Sequence, residues 1–419
     1  MYQPDREALD REALDRLVVD GMRATLGRVA RNAAYARRLG NVRAGDIVRV
    51  EDWGRLPFLT KAELRDAYPF GLACGERYQR LHMSSGTTGN PILNPYTERD
   101  VRQWGEVMAR CYVAAGVTVA DVIQITPSFG LFTGGFGFHY GAERLGAMIV
   151  PTGAGRTLLQ LKLMHDLRAT VLTAIATYPL RLIEVARAEQ FDLGTLALRV
   201  GIFGSEVWSD GLRARIERDL GLRAFDIIGM TETGGPGMGI DCEARAGIHV
   251  WQDHYHVEIV DPLTGAPRPD GTDGELVVST LTREGLPLVR YRTHDLTRIV
   301  SRERCACGRT MLRLDRLRGR TDDMVIFRGV NFYPRQIETI VMKHPGVSHE
   351  YQIMLDSDAG DRMTVVVETE PGCDAAVAGR IRHEIHDALA LSPEIRLCAF
   401  GSIERREGKA VRVVDRRRR

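Results

Sequence analysis

The chain is poor in several things, and each scarcity narrows its class. Seven cysteines in 419 residues are too few, and odd in number, for a disulfide scaffold, which points to a reducing compartment. No apolar run reaches the roughly 18–20 residues that a membrane helix needs. The opening, MYQPDREALD, lacks the apolar stretch of a secretory signal. An excess of one charge is also missing. Lys plus Arg number 57 against 55 Asp plus Glu, and a net +2 gives no bulk electrostatic case for nucleic acid or an anionic membrane. Wholesale disorder is excluded by 44% hydrophobic and 27% charged residues. A soluble cytoplasmic protein is expected, and the length favours more than one domain.

Leu9, Leu14, Leu17, Met22, Leu26 and Val29 fall near helical spacing, so the first segment reads as helix. The doubled REALD of residues 6–15 is too short for an architectural repeat and reads as a local duplication on an exposed helix. Apolar runs at Val122–Thr126, Met148–Pro151, Val171–Ile175 and Val200–Phe203 alternate with helical stretches such as Arg181–Gln190 and Gly211–Leu220. That alternation predicts an α/β fold with largely parallel strands. Tyr255–Asp261 and Glu275–Leu281 look like strands of a more β-rich portion. Near Arg320 the texture changes, and a separate α+β unit is expected, dividing the chain into 1–320 and 321–419. The arginines at 416–419 read as a solvated end rather than a nucleic-acid arm.

The strongest local signal is Ser84-Ser85-Gly86-Thr87-Thr88-Gly89-Asn90-Pro91. Small hydroxyl residues interleaved with glycines let backbone N–H groups and side-chain hydroxyls surround a polyphosphate. No Gly-Lys-Ser/Thr follows, so this is not a Walker A loop, and a plain surface turn is the alternative. Gly204-Ser205-Glu206 and Asp226-Ile227-Ile228-Gly229-Met230-Thr231-Glu232 lie at the ends of apolar strands, where α/β sheets bind ligands. Glu232 offers hard oxygen donors to a phosphate-bridging Mg²⁺. Asp295, in Arg290–Leu296, suits both hydroxyls of a ribose. Gly319-Arg320-Thr321-Asp322 marks the composition break, and Gly408-Lys409 closes the series.

In this order the elements resemble the adenylate-forming acyl-CoA synthetases, and more narrowly the phenylacetate–CoA ligase group. The narrower likeness rests on Tyr68–Gly71, the Ser84–Pro91 loop, Gly130–Gly135, His139–Gly146 and Gly329-Val330-Asn331. The resemblance implies a large N-terminal α/β domain and a small mobile C-terminal α+β domain. It implies that a carboxylate attacks the α-phosphorus of ATP to give acyl-adenylate and pyrophosphate, after which the thiol of coenzyme A displaces AMP. No covalent enzyme nucleophile is needed; the work is positioning and charge neutralisation. On this likeness Ser84–Gly89 would cradle phosphates and Glu232 would hold Mg²⁺. Gly204, Ser205, Glu206 and Asp226–Thr231 would line the adenine. Asp295 would take the ribose, Arg320 would touch nucleotide hydroxyls or phosphate, and Lys409 would neutralise charge at the α-phosphate. Asp322 would be the hinge of a domain rotation. A homodimer is also implied.

Departures from the family pattern bear on the substrate. Asn90 stands where the loop commonly has lysine, and Ile228 where an aromatic stacks on adenine. Ser128-Phe129 replaces Gly-Tyr, and the proline of Ala176-Thr177-Tyr178-Pro179 follows the tyrosine. Phe129, Phe136 and Tyr178 are the expected acid-pocket residues, and His139 reads equally as pocket or structural. Cys242, His249, Cys305 and Cys307 match a Cys₃His structural zinc, against the alternative of free thiols and a loop histidine. Three acceptors or roles stay open: coenzyme A, an amine or acyl-carrier-protein thiol, and a non-catalytic nucleotide-binding regulator.

Overall fold

Five parallel strands form the centre of the molecule, in the spatial order Met148–Val150, Val122–Ile125, Val171–Ile175, Val200–Gly204 and Arg223–Met230. The computed structural model describes residues 1–84, 90–328, 330–356, 362–404 and 412–417. Val171–Ile175 and Val200–Gly204 are buried along almost their whole length, as expected of strands covered by helices on both faces. Beyond Arg223–Met230 the same sheet turns antiparallel through Gly235–Asp241, Ile248–Val250, Arg313–Leu314 and Ile299–Ser301. A second, antiparallel sheet joins Tyr255–Val260, Gly274–Thr280, Tyr291–Thr297 and Gly319–Arg320.

Local chemistry sets the helices. Thr97 and Asp100 form a capping box that opens Glu98–Ala114, and Asp100 also accepts the amides of Glu284 and Gly285 at 2.9 and 2.8 Å. Asp210–Leu220 starts at the Ser209 cap and stops at Gly221, whose φ of 67° lies in the left-handed region that glycine tolerates. The doubled REALD is not one exposed helix. Its first copy straddles the end of Pro4–Glu7, and its second opens Arg11–Val29. The break comes from Asp10, whose carboxylate caps the amide of Ala13 at 2.8 Å.

From residue 325 onward the chain has its own core of Phe332, Ile337, Ile353, Val365, Val367, Ile381 and neighbours. Helices Pro334–Val341 and Val377–Leu389 accompany a four-stranded sheet there, ordered Glu394–Ala399, Arg362–Thr369, Val347–Asp356, Val413–Asp415. Fully burying each such aliphatic or aromatic side chain is worth about 1.5–3 kcal/mol. None of the described helices is long and apolar enough to cross a membrane.

Candidate functional site

The carboxyl ends of the central parallel strands open into a cavity of about 1020 Å³ that continues against the C-terminal unit. One wall carries Ser205, Glu206, Asp226–Met230, Asp295 and Arg320 from the first unit, and the other carries Tyr333, Arg335, Glu338 and Tyr351. Backbone chemistry shapes this edge. Strands Val200–Gly204 and Arg223–Met230 approach so closely at Gly204 that a Cβ there would stand 2.4 Å from the Ile227 carbonyl oxygen. Ser205 follows at φ 68°, a strained conformation for a non-glycine residue of the kind that gathers at ligand sites.

Charges along the wall are fixed before any ligand arrives. Thr177 donates to Glu206 at 2.8 Å. Arg316 donates Nε to Asp226 at 2.8 Å, also reaches the Trp208 carbonyl at 2.8 Å, and lies over the Trp208 ring. Burial alone would lower the Arg316 pKa, but Asp226 and Asp210 hold it above its usual value. Asp295 and Arg320 face each other across neighbouring strands, with Nη1 3.3 Å from the carboxylate. Opposite, burial raises the pKa of Glu338, whose carboxylate accepts a hydrogen bond from Tyr351 at 3.1 Å.

Glu232 is almost fully buried at the far side of the same strand end. Its Oε1 accepts from the Tyr291 hydroxyl at 3.3 Å and lies 3.5 Å from Lys61 Nζ. Burial, with Glu232 beside it, raises the Tyr291 pKa well above the usual range, so the phenol stays protonated as the donor. Sequence reasoning missed Lys61, Tyr291 and Arg316. Lys61 is placed by tertiary pairing: Leu59 forms a parallel bridge with Tyr291, with Leu59 N donating to the Arg290 carbonyl at 2.9 Å. The Thr60–Glu63 capping box then starts the helix Lys61–Asp66. The box was a readable signal for a helix start, whereas the bridge was not readable.

Other expected site residues divide among three places. Ser84 is buried, its hydroxyl accepting the Ile92 amide at 3.1 Å, while Ser85, Gly86, Thr87, Thr88, Gly89 and Lys409 lie outside the described residues. Asp322 falls in the short helical turn Thr321–Asp323 between the two units. Phe129 and Phe136 meet edge to face at 5.3 Å, and His139 stands 6.3 Å from Phe129 with a buried Nδ1. Tyr178 packs elsewhere, at the start of Tyr178–Ala188 against a buried cluster that includes Leu161, Met164, Leu180 and Trp208, with its hydroxyl on Thr157. Ile228 is buried in the main core while lining the cavity.

Cys242, His249, Cys305 and Cys307 converge on the antiparallel wing of the large sheet. Their four donor atoms all lie within 4.8 Å of one another. Strand register is the cause: His249 pairs with Arg313, which ends the loop holding Cys305 and Cys307, and Cys242 follows the neighbouring strand Gly235–Asp241. Cys242 Sγ stands 3.8 Å from Cys305 Sγ, and Cys307 Sγ stands 3.4 Å from His249 Nε2. A zinc tetrahedron with bonds of about 2.0–2.3 Å has edges of roughly 3.3–3.8 Å, so the donor set fits that ion.

A strand-end cavity facing a smaller C-terminal unit, after the Ser/Thr/Gly sequence at 84–89, agrees with the adenylate-forming enzymes that the sequence resembles. The family models agree, with "AMP-binding enzyme" matching residues 81–282 and "AMP-binding enzyme C-terminal domain" matching 329–417. The chain is 41% identical to phenylacetate-coenzyme A ligase of Pseudomonas putida, covering 89% of this chain and 86% of that protein. It is 40% identical to the Escherichia coli (strain K12) phenylacetate-coenzyme A ligase, covering 94% and 92%. The chain belongs to the phenylacetate–coenzyme A ligase family, and it is an AMP-forming acid–CoA ligase. Among solved structures it is similar to 2-hydroxyisobutyryl-CoA ligase in the postadenylation state with 2-HIB-AMP, at TM-score 0.92 and 26% identity over 98% of this chain and 91% of that one. Against the same ligase with 2-HIB-AMP and CoA in the thioesterification state the TM-score falls to 0.72, at 27% identity over 99% and 92%. The arrangement of the two units is therefore close to the postadenylation one.

Proposed function

We propose that the acid is aromatic or arylacetic, and that the two units divide at residue 320 and exchange faces between the half-reactions about Asp322. The observation that carries the acid class is 40% identity, over nine-tenths of both chains, to ligases that bear phenylacetate in their name. The paired rings of Phe129 and Phe136 support it by offering an apolar seat. One oxygen of the acid attacks the α-phosphorus of ATP; the P–O bond to pyrophosphate breaks as the acyl–O–P bond forms. The thiolate sulfur of coenzyme A then attacks the acyl carbon, and AMP leaves with the bridging oxygen.

Each residue has a task in that sequence. Ser84 and the residues 85–89 cradle the phosphates through N–H and hydroxyl groups. Glu232 would hold Mg²⁺, which when bound would offset the charge of the phosphoryl oxygens. Gly204–Glu206 and Asp226–Thr231 take the adenine, Asp295 the ribose hydroxyls and Arg320 the nucleotide hydroxyls or phosphate, a reading supported by the cavity that Ser205, Glu206, Asp226–Met230, Asp295 and Arg320 line. Lys409 stabilises the charge where the carboxylate meets the α-phosphate. Cys242, His249, Cys305 and Cys307 hold a structural zinc. The enzyme works in the cytoplasm, a reading supported by the sparse and odd-numbered cysteines of the sequence, and as a homodimer, as the family resemblance implies.

Pyrophosphate release from ATP–Mg²⁺ over a panel of aryl, arylacetic and short hydroxy acids, each with and without coenzyme A, tests this reading. Release with an arylacetic acid, raised by coenzyme A and lost in Lys409→Ala, is expected. Release confined to aliphatic hydroxy acids would overturn the acid class. Release indifferent to coenzyme A would point instead to a carrier protein or an amine.

A further inference from the structure

The turn that holds two of the four metal donors also holds the segment 1–7. Glu7 ends the helix Pro4–Glu7 with its carboxylate fully buried. Its Oε1 accepts the amides of Tyr2 and Gln3 at 2.8 and 2.7 Å, and its Oε2 accepts Arg309 Nε at 2.6 Å. Arg309, two residues past Cys307, is 3% exposed. Backbone bonds run both ways from it: Cys305 N donates to the Arg309 carbonyl at 2.8 Å, and Thr310 N donates to the Glu7 carbonyl at 3.1 Å. Met1 covers the turn so closely that a Cβ on Gly308 would stand 2.7 Å from its Cε. Gln3 is anchored separately, accepting from Arg110, which is paired bidentate with Asp253.

One group in this arrangement is unspent. Arg309 Nη2 is buried with no nitrogen or oxygen partner among the described residues. Besides Glu7, the guanidinium faces the Cys307 sulfur and lies over the Trp251 ring. Three thiolates and a neutral imidazole around a divalent cation leave a net charge of −1, and a buried charge needs a nearby counter-charge. Such outer partners orient ligands as well as balancing them. Resting on the zinc reading above, we propose that the metal centre clamps residues 1–7 to the body of the enzyme, with Arg309 as the positioning cation between the Cys307 sulfur and the Glu7 carboxylate. A bound metal fixes the 305–310 turn and thereby docks the segment. An empty centre leaves that turn with its backbone bonds and the Arg309–Glu7 pair but without the metal anchor, and the segment lifts.

The test is hydrogen exchange on the full chain, read at the amides of Arg6, Glu7, Ala8 and Thr310, with metal content measured on the same samples. Protein carrying about one zinc per chain is compared with protein stripped by a chelator and with stripped protein reloaded with zinc alone. Exchange at these amides is expected to rise at least tenfold on stripping and to return on reloading. Glu7→Gln is expected to raise exchange at residues 6–8 while zinc content stays near one per chain. Arg309→Lys, which keeps charge but not the fork, is expected to fall between. Zinc that binds and leaves with no change at residues 6–8 would overturn the clamp and leave the metal reading standing. Protein that takes up no zinc would overturn both.

Discussion

Lys61 Nζ stands 3.5 Å from Oε1 of Glu232, so a cation from the first hundred residues sits beside the carboxylate proposed to hold Mg²⁺. The lysine side chain is 29% exposed and the glutamate side chain 7%, which leaves the ammonium a face open to a ligand. A point charge with three donors suits phosphoryl oxygens. Lys61→Met keeps the apolar stem and deletes the charge. Acid-dependent pyrophosphate release should fall about 100-fold, roughly 3 kcal/mol of lost charge stabilisation, with the thermal midpoint little changed. A rate within twofold of the parent would remove Lys61 from the phosphate site.

Asn90 supplies the complementary case. It is exposed at the end of the Ser/Thr/Gly loop, where the family pattern commonly carries lysine. Asn90→Lys would place a cation at the end of the loop proposed to hold the polyphosphate. An exposed charge of this kind is worth about 1 kcal/mol and is screened by salt. The KM for ATP should drop about fivefold at low ionic strength, with the gain shrinking as salt rises. A salt-independent change would show that the residue acts through loop shape instead.

How far the sequence alone carried can be seen by comparing two strand ends. Gly204 and Glu206 were legible because an apolar run that stops at glycine and polar residues marks the carboxyl edge of a parallel strand. The Cys₃His set was legible from donor type, and its convergence follows from strand register that no local pattern reveals. Lys61 was not legible. Its position depends on Leu59 bridging Tyr291, a contact between distant segments with no periodic signature. Tyr178 begins its own helix and packs against a buried cluster that includes Leu180 and Trp208. The opening helix was read as continuous because hydrophobic spacing does not register a cap such as Asp10.

The contact between the two units predicts a partition effect. Glu370 accepts from Arg215 at 2.8 Å and from Arg187 at 3.4 Å, and Arg335 donates to the Trp208 carbonyl at 3.0 Å. The arrangement these bonds hold is the one similar to the postadenylation state. Glu370→Lys sets a third cation against the two arginines and costs about 1–2 kcal/mol after solvent screening. Adenylation measured by single-turnover pyrophosphate release should slow about tenfold. Thioester formation from preformed acyl-adenylate and coenzyme A should change less than twofold. Equal slowing of both steps would mean that the contact supports the fold rather than one arrangement.

His254 gives the enzyme an acid limit. It is buried, with Nδ1 2.7 Å from Gln103 Nε2 and 3.0 Å from Thr282 Oγ1, and Nε2 3.4 Å from Asp253. Burial pushes its pKa down to about 4, against an upward pull from Asp253. The folded pKa lies below the unfolded value of about 6.5, so the unfolded chain binds the proton first as pH falls. The stability involved is therefore fully present above about pH 6.5 and is lost progressively down to about pH 4, reaching about 3 kcal/mol. Urea unfolding followed at pH 7.5 and pH 5 should show a loss of about 2 kcal/mol from this group. His254→Asn, which keeps a side-chain amide but cannot titrate, should flatten the slope over that window whatever its absolute stability. A variant with the parent's full slope would place the acid sensitivity on other groups.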